Sequence, residues 1–336
     1  MAIPCPPMRP HSFGSARLAV IIGWVTLTVL SSPVAGQAAP PPPPAATQPA
    51  RLTFVATPTG EFTFNTGVVR GKLRARGKSL GLSSLVHIPT GIMLDQGDGG
   101  YGLFSHYRVF TANRRYGVGA WDWPSTARLR DDGAVEVHWT PAPDRPFDLK
   151  AVYRWVSPDM LDLETIVHPL TDLPGFESFL ASYFQPQFTN SLAYVSTRPS
   201  PSEAPAFVAA EPALGVWQMF PRDRAVVALI QDGRWNLEPN PVNWVIMPTL
   251  ARPIGVRRHP ASGLSAVLMA PAEDCFAIAT PYQTEGHYSL YLSLFGRNLK
   301  AGEPARARTR LWITTAFSEP QIVEIHKTFS AAKPNP

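Results

Sequence analysis

Cysteine is all but missing: the 336 residues contain two, Cys5 and Cys275. Charge is scarce as well, at 16% of residues, against about 25% in an ordinary soluble domain. So few cysteines exclude a disulfide scaffold, and so little charge excludes coiled coils, whose exposed faces need it. The apolar stretch from Leu18 to Leu30 falls well short of the roughly 20 residues that span a membrane as a helix. What the chain does have is proline, at 37 positions, roughly double the usual share of about 5%. That many helix breakers exclude long helical bundles. A hydrophobic fraction of 45% excludes wholesale disorder, because it can supply a core.

Arg9 and Arg17 precede the apolar stretch, and Ser31-Ser32-Pro33 and the small residues Val34 to Ala38 follow it. A basic segment, a short apolar segment and a small-residue cleavage point are the parts of a secretory signal peptide, here residues 1–38. Cleavage is expected between Gly36 and Ala39, and no cysteine follows to take a lipid anchor. Residues 39–51, with five prolines in a row from Pro40, read as a stiff polyproline spacer. The expectation is a periplasmic or secreted protein without stable membrane insertion after cleavage. Cys5 then leaves with the signal, and Cys275, in a strand-like run, reads as a buried inert thiol. Losing Arg9 and Arg17 takes the net charge from +5 to +3 (5 − 2), too mild to argue for nucleic acid.

From residue 52 onward apolar residues recur with period two. Val135 and Val137 alternate with Glu136 and His138. Phe147, Leu149, Ala151, Tyr153 and Trp155 share one face of a longer strand, and Ser157-Pro158-Asp159-Met160 turns it back into Leu161 to Val167. Ala225 to Gln231 with Asp232-Gly233 reads as a further hairpin. Leu264–Met269, Phe276–Thr280, Tyr288–Phe295 and Arg306–Thr314 continue the series. Only Ser318 to Ser330 has helical spacing, with Ser318 and Gln321 as a capping box. Residues 52–331 are therefore expected to form one all-β domain, a large antiparallel β-supersandwich with a short C-terminal helix.

Several chemical signatures nearly appear. Gly97 to Gly102 satisfies G-x-G-x-x-G, but a strand follows where a dinucleotide site needs a helix. Gly71 to Ser79 has one residue too many between its glycines for a phosphate loop, and G-x-S-x-G does not occur. Asp95 and Asp98 are too short a ligand series for calcium, and the histidines lack zinc spacing. No metal and no cofactor is called for. The densest polar and aromatic segment is Gly102 to Ser125, with His106, Arg108, Arg114, Trp121, Asp122 and Trp123. Aromatic faces beside Arg, Asp and His suit a sugar, whose C–H face stacks while its hydroxyls bond; the same residues also suit a packed core hairpin. Trp217, Arg222, Trp235, Asn236 and Trp244 form a sparser second cluster. Arg70, Lys72, Arg74, Arg76 and Lys78 alternate, as do Arg306, Arg308 and Arg310: solvated strand edges, or a track for an acidic polysaccharide.

Leu299 to Thr309 (LKAGEPARART) resembles the turn before the last strand in the galactose-mutarotase-like superfamily. Phe179 to Phe184 (FLASYF) is similar to that family's His-Pro-Tyr-Phe segment. The resemblance spans about Leu52 to Ala316 and implies a supersandwich that serves epimerases, polysaccharide lyases and non-catalytic modules. It also implies a departure, because Ala181 stands where the epimerases carry their proton-donating histidine, while Glu285 lies near their late catalytic glutamate. The leading expectation is an exported carbohydrate-binding protein. The alternatives are an epimerase or lyase using His106, Tyr183, Glu285 or His287, with Arg108, Arg114, Trp121, Asp122 and Trp123 on the sugar, and a structural envelope protein.

Overall fold

The computed structural model describes residues 52–74, 81–112, 114–196, 204–281 and 288–332. The expected signal and spacer lie outside them, as do Arg76, Lys78, Glu285 and His287. The described residues fall in one compact unit.

The chain opens with a five-stranded meander: β1 (Val55–Ala56), β2 (Phe62–Asn65), β3 (Val69–Leu73), β4 (Leu82–His87) and β5 (Ile92–Met93). Next come β6 (Ser105–Thr111), β7 (Arg114–Arg115), β8 (Thr126–Leu129), β9 (Val135–Trp139), β10 (Phe147–Ser157) and β11 (Met160–Pro169). Then follow β12 (Leu173–Phe184), β13 (Asn190–Val195), β14 (Ala206–Ala209), β15 (Trp217–Pro221), the single-turn α1 (Val227–Ile230) and β16 (Val245–Ile246). The last elements are β17 (Leu250–Arg258), β18 (Ser265–Met269), β19 (Cys275–Pro281), β20 (Tyr288–Leu299), β21 (Ala305–Thr314) and α2 (Glu319–Ala331).

Two large sheets carry the domain. One has nine strands in the order β14-β13-β17-β18-β21-β11-β10-β9-β8, the other seven in the order β16-β15-β19-β20-β12-β6-β7. Pairing is antiparallel throughout except for the two-residue contact of β15 with β16. The expected all-β antiparallel sandwich is what forms. In β9 the alternation does what it promised, with Val135, Val137 and Trp139 buried and Glu136 and His138 half-exposed. Trp139, Phe147, Leu149 and Tyr153 from the nine-stranded sheet meet Leu180, Phe184, Leu290 and Leu292 from the seven-stranded one. Each fully buried large apolar side chain contributes about 1.5–3 kcal/mol.

The outer faces are covered differently. α2 lays Ile322 and Phe329 against Val256, Met269 and Trp312 on the nine-stranded sheet. Loops carrying Trp121, Trp235 and Val242 cover Phe110, Phe179, Tyr183 and Tyr291 on the seven-stranded sheet. This double covering explains why β12, β18 and β19 are buried on both faces, and why β18 and β19 are almost wholly apolar in sequence.

Three expectations are corrected. The hairpin strand Ala225–Gln231 is α1 and a following 3₁₀ turn, Arg234–Asn236. Asp223 Oδ1 accepts the N–H groups of Ala225 (2.9 Å) and Val226 (3.2 Å) and so starts a helical turn, and a short apolar run has no period to decide between the two forms. Ser318 precedes α2 but makes no side-chain cap bond. The basic strands are not edges: β3 lies between β2 and β4, and β21 between β18 and β11. Arg306 pairs with Glu164 at 2.8 Å, Arg310 with Asp162 at 2.6 Å, and Lys72 with Asp98 at 2.9 Å and Glu61 at 3.1 Å. Carboxylates thus pair with Arg306, Arg310 and Lys72 of the expected acidic-polymer track, and Arg76 and Lys78 of that track lie outside the described residues.

Candidate functional site: an aromatic cleft beside a strand bulge

The site begins with a register shift. β6 runs antiparallel to β12, with Val109 opposite Ser178 and His106 opposite Leu180. Two residues, Tyr107 and Arg108, therefore face the single residue Phe179. A bulge of this kind inserts one extra residue and re-aims side chains. Strict alternation would send Tyr107 and Arg108 to opposite sides, whereas here both line the same outer cleft. His106 is turned the other way, into the core between the sheets.

The cleft encloses about 320 Å³. Its floor is Phe179 and Tyr183 of β12 and Tyr291 of β20, with Ala181 between the first two on the same buried face. One wall is a stack: Trp121 lies on Tyr107 with ring centres 4.0 Å apart and on Tyr101 at 5.2 Å. The other wall is three indoles set edge to face, Trp235 against Trp244 at 5.2 Å and Trp217 against Trp244 at 5.8 Å. Offset and edge-to-face contacts are the favoured aromatic geometries. Gly119 makes the first wall possible, because a Cβ there would sit 2.8 Å from Tyr107 and 3.0 Å from Trp121.

Asn240, Pro241 and Val242 form the lip. Two arginines fasten it by its main chain: Arg108 Nη2 donates to the Asn240 carbonyl at 2.8 Å, and Arg115 Nη1 to the carbonyls of Leu237 and Pro239. Asn240 takes a left-handed backbone, φ 61°, which asparagine tolerates better than most residues. The Arg108 guanidinium lies over the rings of Tyr107 and Trp235, at 5.1 and 5.2 Å. Burial, and then the nearby Arg108 charge, lower the pKa of Arg115 to about 10, while Tyr107 and the exposed Glu238 act the other way.

The phenols are hydrogen-bonding groups, not bases. Burial pushes Tyr183 well above the ordinary tyrosine range, and its bond to Tyr291 adds to the rise. Tyr291 is pushed up to about 12, again by burial, while accepting from Ser289 Oγ at 2.9 Å. At neutral pH both keep their protons.

The predicted site residues divide. Tyr183, Arg108 and Trp121 line the cleft. His106 does not: it is buried, its Nδ1 bonded to Ser178 Oγ at 3.0 Å and its Nε2 to Thr165 Oγ1 at 3.2 Å, with its ring edge-on to Trp139. A histidine with both ring nitrogens engaged inside the sandwich has no route to a ligand in the cleft. Asp122 is exposed and accepts from Trp121 Nε1 at 3.1 Å, outside the lining. Trp123 packs on Phe147 at 6.0 Å beneath Arg145 at 4.1 Å, on the core side. Arg114 is exposed, bonded to the Asp144 carbonyl at 2.6 Å and stacked on Tyr116. The sparser second cluster supplies more of the site than expected: Trp217, Trp235 and Trp244 all line it, while Arg222 pairs with Asp223. Tyr107, Phe179 and Tyr291 were not singled out, since the bulge and the double covering decide which face each takes, and neither was Tyr101, which lies in the loop before β6.

Cys275 is the expected inert thiol, buried and pushed up to about 12 by that burial. Asp95 accepts N–H groups from Ser84 and Leu85 of β4 and from Gly97, and Asp98 accepts from Ser84 Oγ, so both carboxylates are occupied by the protein's own donors. Among the described residues no cluster of His, Cys, Asp and Glu could hold a metal, and no helix is long and apolar enough to cross a membrane.

No family model matches the chain, and no curated protein matches it. Solved structures do. The chain is similar to a galactose-mutarotase-related enzyme from Lactobacillus acidophilus at 9% identity and TM-score 0.46, over 76% of this chain and 97% of that one. It is similar to an α-N-acetylgalactosaminidase from Bifidobacterium bifidum at 11% identity and TM-score 0.49, over 80% of this chain and 38% of that one. A heparan sulfate lyase from Pedobacter heparinus matches at 9% identity and TM-score 0.42, over 79% of this chain and 37% of that one.

Proposed function

We propose that this protein is an exported carbohydrate-binding domain that takes a sugar in the aromatic cleft. The observation that carries the reading is the lining itself: four tryptophans, four tyrosines and one phenylalanine around about 320 Å³, with one guanidinium at the lip. Flat rings suit the C–H face of a pyranose, and the few polar groups among them suit its oxygens. The volume lies at the small end of ligand pockets, about 300–1,000 Å³, and so fits a short sugar or a chain end. The epimerase or lyase alternative would draw its proton-transfer groups from Glu285 and His287, outside the described residues.

Calorimetric titration of the mature protein with a panel of mono- and oligosaccharides tests the reading. Trp244 is half-buried on the cleft wall, so Trp244→Ala should fold and lose affinity, by about 1–3 kcal/mol on the scale of aromatic platforms elsewhere. Trp123→Ala is the control. It should lower stability, by about 2–3 kcal/mol for a half-buried indole, and leave the affinity of the folded fraction intact. Binding that survives Trp244→Ala and is lost with Trp123→Ala would place the sugar elsewhere.

A further inference from the structure

The cleft is rich in donors that have no acceptor. Arg108 is 4% exposed, and of its three nitrogens only Nη2 has a partner; Nε and Nη1 are shut off from solvent and bonded to nothing. The indole nitrogens of Trp235 and Trp244 and the Nε of Arg115 are in the same state. Leaving a buried donor unmade is costly, more so when it is charged. Arg145, 5% exposed, also leaves its Nε without a partner, but Arg234 and Arg257, the two most deeply buried arginines, show what a finished environment looks like. Arg234 has Asp232 at 2.8 Å and Glu177 at 3.2 Å. Arg257 spends its nitrogens on the carbonyls of Phe188, Pro281 and Ser289 and the hydroxyl of Thr280. Among the described residues that line the cleft there is no carboxylate to do this for Arg108. Asp122 and Glu238 are exposed, Asp122 is bonded to Trp121, and Glu238 acts on Arg115.

Resting on the reading of the cleft as a sugar site, we propose that its ligand is an acidic sugar whose carboxylate completes the bonding of Arg108. The N–H groups of a guanidinium lie in one plane, which matches the two coplanar oxygens of a carboxylate. Arg115, close enough for its charge to be felt, adds to the attraction, and the unpartnered indole N–H groups of Trp235 and Trp244 supply donors for ring oxygens. The half-buried Tyr107 ring, lying against the guanidinium, is the side chain that must shift to admit the anion.

The experiment is titration of the mature protein with glucuronic and galacturonic acids, with glucose and galactose, and with glucose 6-phosphate and a 6-sulfated sugar. The uronates should bind at least tenfold tighter than the neutral sugars, and raising the salt should weaken them alone. Arg108→Gln should cut uronate affinity about 10- to 100-fold, down to the neutral level, while Arg108→Lys restores part of it. Neutral sugars binding as tightly as uronates would overturn the proposal and leave the sugar site standing. A phosphate or sulfate ester binding tighter than the uronates would overturn the carboxylate assignment. No binding by any of the panel would bring down the sugar site itself. If Arg108→Gln does not fold, the ratio of uronate to neutral affinity in the unaltered protein, and its salt dependence, decide the matter.

Discussion

At the scale of single residues, His106 shows how completely burial can remove a catalytic candidate. Its pKa falls to about 3 because the charged imidazolium would lose its water inside the sandwich. Below about pH 6.5 the unfolded chain takes up a proton that the folded protein refuses, so stability falls as the pH falls, down to about pH 3. Burial lowers His87 and His326 in the same direction. Asp95, raised to about 6 chiefly by burial, works against them. Between about pH 4 and 6 the folded protein holds the Asp95 proton that the unfolded chain has lost, so its contribution declines as pH rises. Urea melts at about pH 7 and pH 4.5 should show a net loss on the acid side, and His106→Gln should remove up to about 3 kcal/mol of that loss, two pH units below the ordinary histidine value. An undiminished loss in the variant would assign it to His87 and His326.

At the scale of elements, the alternating strands and the C-terminal helix were legible in the sequence because one face of each is wet. Val135 to Trp139 and Phe147 to Trp155 sort their side chains by hydrophobicity, and β9 and β10 follow. The bulge in β6 was not legible. It is set by pairing with β12, 72 residues away between His106 and Ser178, and no local feature of Ser105 to Thr111 marks it. From period two, His106 and Arg108 belong together, and that single misplaced step put a core histidine into the expected site. The three distant indoles were in view as a cluster, but only folding brings β15 and the loop after α1 beside β6. Gly119 offers a test of how finely the wall is set. Its backbone is extended, φ −175°, so alanine is conformationally allowed there, and the obstacle is contact with Tyr107 and Trp121. Gly119→Ala should leave the melting temperature within a few degrees, alter the near-ultraviolet circular dichroism, and weaken sugar binding about tenfold. Unchanged binding would mean that the Trp121 stack is not part of the recognition surface.

At the scale of the whole molecule, both large sheets and the N-terminal meander share one core, with Phe54, Phe64 and Trp155 in mutual ring contact. A shared core predicts one cooperative unfolding transition by calorimetry and by circular dichroism; two separated transitions would show that the meander is an independent unit. The export expectation is checked by N-terminal sequencing of protein from the envelope fraction, which should begin between Gly36 and Ala39. The gathering of indoles has an optical consequence as well. Four of the nine tryptophans border one cavity, and Trp235 and Trp244 stand nearly perpendicular, at 89°. Rings this close pass excitation among themselves, so one quenching contact by a bound molecule darkens several emitters at once. Occupancy of the cleft should therefore be readable in the protein's own fluorescence, with no label attached.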